Sequence, residues 1–162
     1  MNRRQAIAAA AAGAVVVTTG ATQAATDESQ ATFDTVMAFM GAMGGGDMDG
    51  MSALMADDMV WQNDGDSRLP WIGRWEGKEA IFGFLGTFSQ NVETTLWETE
   101  DAFASGDTVA VFGRMKTRLS GTGIETEPFF FALRAKVRDG QVVLWNWFED
   151  SYAVSQAYHN PA

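Results

Sequence analysis

Four polar side chains have the chemistry for cofactor-free proton transfer: Asn63, Arg114, Lys116 and Asp150. A carboxyl group withdrawn from water becomes a stronger base, and fixed donors beside it stabilise the oxyanion that forms when a carbon acid loses its proton. Strand alternation aims each of the four. Met59, Trp61 and Asn63 share one face; Ala110, Phe112, Arg114 and Lys116 share another; Val142, Leu144, Asn146, Phe148 and Asp150 share a third. On that phase Trp145, Trp147 and Glu149 point the opposite way, and a slip of one residue exchanges the two sets. Competing roles are simpler. Asp150 precedes the helical pattern "DSYAVSQAY" and suits an N-cap, while Lys116 continues through Arg118 as a solvated strand end.

Aromatic residues suggest what such a group would act on. The stretch "DMVWQNDGDSRLPWIGRWEGKEAIFGFL" sets Trp61 on a strand and Trp71 and Trp75 in the connection that follows, placing Trp61 as a wall and the other two as a rim. Phe112, Phe129 and Phe148 extend the apolar lining, and Glu127 stands as a second carboxyl at the open end of the face made by Phe129, Phe131, Leu133, Ala135 and Val137. The ligand expected is small and hydrophobic, aromatic or polycyclic. Asp64 and Asp66 flank the same connection without a matched role. His159 sits in a terminal "HNPA" tail, the chain has no cysteine, and no acid cluster has ligand spacing, so no metal site is expected. Gly44 to Gly46 follow a helix instead of opening one after a strand, which is not a phosphate or dinucleotide loop.

The elements that must position these residues come in two runs. Phe33, Val36, Met37, Phe39, Met40 and Met43 give a helix over 31–43 that ends at the glycines, and a short helix runs from about 49 to 55. A first strand carries Met59 to Asn63, and Ile81, Phe82, Leu85 and Phe88 mark a third helix over 78–88. From Val92 the period becomes two: "VETTLWETEDAFA", "TVAVFGRMKTRL", "TEPFFFALRAKV" and "QVVLWNWFED" are joined by turn signals, and a last helix covers 151–158. Helices followed by an antiparallel meander predict an α+β fold, a curved sheet wrapped around helices on one face.

The first residues read as an export signal, with Arg3 and Arg4 ahead of an Ala/Val-rich run and Thr22-Gln23-Ala24 as a small-x-small cleavage site. The paired arginines point to the twin-arginine route and a bacterial periplasmic location. Residues 6–17 are short for the roughly 20 apolar residues of a spanning helix, so no stable membrane association is expected once the signal is removed. Cleavage after Ala24 leaves residues 25–162 as one domain and takes the net charge from −10 to −12 by loss of the two arginines. That acidity disfavours nucleic acid as a partner.

The strings "GRWEGKEAIFGFL", "ASGDTVAVFGR" and "RDGQVVLWNWFEDSYAV", in this order, resemble the SnoaL-like, ketosteroid-isomerase-related branch of the nuclear transport factor two-like superfamily. The resemblance implies a conical α+β barrel with a deep pocket, commonly dimerised through the outer sheet face. It implies no single reaction: such proteins isomerise steroids, close polyketide rings, open epoxides or cleave carbon–carbon bonds without a cofactor, and others only bind. Asp150 matches the family's pocket acid. Positions matching Trp61 and Asn63 hold a water in epoxide-hydrolase relatives, which also pair an Arg with an Asp where this chain has Arg114 and Lys116. The function expected is a cofactor-independent isomerase, lyase or hydrolase with Asp150 as base, Asn63 and Arg114 as donors and Lys116 as auxiliary; the alternative is a non-catalytic carrier. Outward-facing Trp145 and Trp147, beside Phe130 and Ala132, would be covered by a second copy.

Overall fold

The cleft that matters lies between a helix and a sheet, and both owe their shape to local sequence. The computed structural model describes the backbone of residues 19–159. The first 18 residues of the expected signal lie outside that range, and helix α1 (Thr19–Gly45) runs through the expected cleavage site. Its Val36 and Phe39 are fully buried, and it stops where Gly46 adopts φ +70°. Asp47 then caps α2 (Met48–Leu54) by accepting from Gly50 N at 2.9 Å. Among the described residues no helix is long and apolar enough to cross a membrane.

Strand β1 (Met55–Asp64) is followed by β2 (Gly73–Glu76), α3 (Lys78–Asn91), β3 (Val92–Ser105), β4 (Thr108–Leu119), β5 (Phe129–Arg138), β6 (Gln141–Glu149) and α4 (Ser151–His159). The strands form one open sheet in the order β2-β1-β6-β5-β4-β3, and all neighbours are antiparallel except β1 and β6. The α+β expectation holds. The short β2 is an addition: the Trp-rich connection folds back as a strand, pairing Trp75 with Trp61.

One irregularity governs the site. Between β5 and β6 the pairing steps from Lys136↔Leu144 to Val137↔Val142, so β6 carries an extra residue, Val143, at a bulge. Val142 faces the core at 0% exposure, yet beyond the bulge the phase is inverted: Trp145 and Trp147 are buried at 0% and 8%, and Phe148 is 42% exposed. Strict alternation from Val142 sends Leu144, Asn146, Phe148 and Asp150 inward; the extra residue sends Trp145, Trp147 and Glu149 inward instead. The expected outward tryptophans are therefore core residues.

Candidate functional site: an aromatic cavity with a half-buried acid

Three rungs run across the concave face of the sheet. Trp61 on β1 pairs with Trp145 and then Ala135; Asn63 pairs with Trp147 and then Leu133; Glu149 pairs with Phe131 and then Gly113. Phe84 and Phe88, one turn apart on α3, close one side, and Trp97 on β3 and Met43 on α1 close another. Between them lies a cavity of about 70 Å³, which also reaches Met115 and Thr94. Met43, Thr94 and Trp97 line both this cavity and the groove outside it between α1 and β3, so the mouth is there.

Gly113 makes the wall possible. A Cβ at that position would lie 2.0 Å from Glu98 O and 2.8 Å from the Phe131 ring. With no side chain in the way, Phe131 lies flat and Trp147 stacks on it at 4.7 Å and 18°, with Trp97 next at 5.6 Å from Trp147. The opposite wall is Trp61, whose ring centroid is 5.4 Å from those of Phe84 and Trp145.

The polar groups are few and linked. Trp61 Nε1 donates to Asn63 Oδ1 at 2.8 Å, and Asn63 Nδ2 donates to the Trp71 carbonyl at 2.9 Å, so the buried amide holds the first strand's end to the loop. Trp147 Nε1 donates to Glu149 Oε2 at 2.8 Å. Burial among these rings pushes the Glu149 carboxyl above its ordinary range, the neighbouring Asp150 charge adds to the rise, and the Trp147 hydrogen bond offsets part of it.

Two of the expected site residues, Asn63 and Trp61, line the cavity. Most of the rest do not. Asp150 is exposed, and its Oδ1 accepts from Tyr152 N at 3.2 Å and Ala153 N at 3.4 Å, capping α4. The bulge at Val143 has moved it off the concave face. Arg114 and Lys116 alternate with the inward Met115 and so point outward, where they pair with Glu100 and Glu125. Phe112 and Phe148 are exposed on the same outer face at 40% and 42%. Glu127 is exposed in the connection before β5. Phe129 is buried in the core beside Met115 but is not among the cavity's lining residues. Trp71 is 1% exposed and packs edge-on against Phe88 and Tyr158, while Trp75 stacks on Phe84 at 3.9 Å; they back the wall instead of forming a rim.

The groups that sequence reading left out of the site are Glu149, Trp97, Trp145 and Trp147 and the Phe84–Phe88 pair. Only the one-residue ambiguity at Asp150/Glu149 signalled any of them. Asp66, near the same connection, serves structure: Arg68 and Ser155 both donate to it and hold its carboxyl well below the usual range, fastening the loop to α4. Among the described residues no cluster of three or more His, Cys, Asp or Glu could hold a metal ion.

A profile of the SnoaL-like domain matches residues 36–145, most of the described chain. The chain belongs to the SnoaL-like family. Solved structures share the fold. An NTF2-like protein from Burkholderia xenovorans LB400 is 27% identical, with a TM-score of 0.74 over 81% of this chain and 98% of that one. An LEH-like epoxide hydrolase from M. tuberculosis is 22% identical, with a TM-score of 0.63 over 83% and 93%. A putative isomerase from Rhodopseudomonas palustris is 17% identical, with a TM-score of 0.64 over 75% and 90%. The last two likenesses show the fold alone. Among curated proteins none matches the sequence.

Proposed function

We propose that this SnoaL-like protein is a cofactor-independent acid/base enzyme, an isomerase, lyase or hydrolase, in which Glu149 moves the proton. The observation that carries the reading is a single carboxyl group set in an aromatic cavity, its proton affinity raised by burial and its position held by Trp147. A carboxyl perturbed this way serves as base when ionised and as acid when protonated. Glu149 takes the part expected of Asp150. Asn63 and Trp61 remain in the site, but their hydrogen bonds to each other and to Trp71 make them positioning residues. The isomerase and epoxide-hydrolase names among its structural neighbours support this class.

A cavity of about 70 Å³ holds about two waters at ~30 Å³ each, so the substrate portion it takes is a small group and not a polycyclic system. A carrier role is the second reading. Its support is that Arg114 and Lys116, expected to stabilise an oxyanion, are paired on the outer face. Turnover of small epoxide, carbonyl and hydroxy-aromatic substrates by wild type and Glu149→Gln decides between them. Loss of turnover in the variant supports the enzyme; binding without turnover in the wild type supports the carrier.

Two further proposals concern the whole molecule. Export with removal of the leader rests on the Arg3-Arg4, Ala/Val-rich and Thr22-Gln23-Ala24 pattern. A homodimer rests on the outer sheet face, where Phe130, Phe148 and Phe112 are 65%, 42% and 40% exposed.

A further inference from the structure

We infer that the cavity takes a small organic cation, a quaternary or fully substituted ammonium head group held against aromatic faces with Glu149 as its counter-charge; this deepens the reading of Glu149's cavity as the substrate site.

Hydrogen-bond supply and demand carries the inference. The donors beside the cavity are already committed: the Trp61 indole to Asn63, the Asn63 amide to the Trp71 carbonyl, and the Trp147 indole to Glu149. Trp145 Nε1 has no acceptor, but less than 1 Å² of it is accessible, so it does not face the open space. Among the described residues no Lys, Arg or His lines the cavity. A ligand bringing an oxyanion would meet no free donor beyond the Thr94 hydroxyl and, in its protonated form, Glu149 itself.

What the cavity offers is electron-rich. The lining includes the rings of Trp61, Trp97, Trp147 and Phe84, with Phe84 stacked on Trp75 and Trp147 on Phe131, and the thioethers of Met43 and Met115, and Glu149 Oε1 accepts no hydrogen bond from the described residues. An aromatic enclosure of this kind attracts an organic cation through the ring quadrupoles, and a quaternary ammonium asks for no hydrogen bonds in return. The cavity of about 70 Å³ has room for about two waters at ~30 Å³ each, so only part of an ammonium head group would enter it and the remainder would stay at the mouth. The rest of such a ligand would leave by the mouth at Trp97, which is 38% exposed. The chain's net charge of −10 favours cation approach over anion approach.

The pH response separates this from a neutral ligand. The neighbours of Glu149 are Trp147 and Asp150 along its own chain and Phe131 on β5, so among the described residues no cation neutralises it. A cation binds better as Glu149 ionises, whereas a neutral carbonyl or alcohol accepting from the protonated acid binds worse.

The test titrates the full chain with choline and with its uncharged isostere 3,3-dimethylbutan-1-ol, following indole fluorescence from about pH 5 to about pH 9. Choline is expected to bind at least about tenfold tighter at the alkaline end, with the preference shrinking toward the acid end. Glu149→Gln and, separately, Trp97→Leu at the mouth should each reduce choline affinity several-fold while the isostere changes little. Equal or tighter binding of the isostere overturns the cation inference and leaves the cavity as a ligand site. Failure of both probes to bind overturns the ligand-site reading along with it.

Discussion

Trp147 and Glu149 stand two residues apart on β6, on one face, and the indole N–H of the first donates to Oε2 of the second at 2.8 Å. Trp61 and Asn63 repeat the arrangement on the neighbouring strand, also at 2.8 Å, and the two strands run parallel with Trp61 beside Trp145 and Asn63 beside Trp147. A strand's period of two brings each indole over its polar neighbour. The site is two such pairs set side by side.

Glu149→Gln keeps the shape and the Trp147 hydrogen bond but removes the titration. Burial raises the folded-state pKa above the unfolded value, so the folded chain holds the proton longer and stability falls as pH rises from the unfolded pKa through the folded one. The variant is therefore expected to melt higher than wild type at neutral to alkaline pH, with the difference vanishing near about pH 4. Turnover should drop by roughly 100-fold or more if Glu149 is the acid/base group. A melting difference of the opposite sign would refute the desolvation account.

Asp150 is expected to matter to stability and not to chemistry. Its Oδ1 receives two backbone N–H groups at the start of α4. Asp150→Ala should cost about 1 kcal/mol in denaturant unfolding, while Asp150→Asn changes little. Wild-type turnover in Asp150→Asn is the outcome that goes with the cap; a 100-fold loss would return the base to this residue.

Gly113 is expected to tolerate no side chain. The added Cβ of Gly113→Ala would meet the Glu98 carbonyl at 2.0 Å, a backbone atom that cannot rotate away, and would press on Phe131. Overpacking of this kind costs about 1–3 kcal/mol or more. Because Phe131 carries the Trp147 stack, the change should also alter near-ultraviolet circular dichroism; unchanged stability and spectrum would show that the strands can part there.

Phe130 tests the proposed dimer. It is 65% exposed on the outer face, with the Arg114 guanidinium 5.4 Å from its ring centroid. Sedimentation of the wild type is expected to show a dimer at micromolar concentration and Phe130→Glu a monomer. A monomeric wild type would remove the proposal.

Sequence periodicity was enough for the α+β class, for α2, α3 and α4 within a few residues, and for the meander, because each rests on a local pattern that tertiary contacts only reinforce. It was also enough to place Trp61 and Asn63 inward on β1, since Met59 to Asn63 alternates without interruption. The site's acid was beyond its reach. Alternation carries a phase only as far as the next bulge, and Val143 is ordinary as a residue; it is extra only relative to β5, whose Lys136 and Val137 lie opposite Leu144 and Val142. That mismatch exists in the pairing of two strands and in neither strand alone. It turns Asp150 into a helix cap and Glu149 into the partly buried acid of the cavity. Arg114 and Lys116 followed the same logic: alternation put them on one face, but which face was concave was decided by the helices, which cover the side that Met115 and Phe131 occupy and leave the two cations to Glu100 and Glu125.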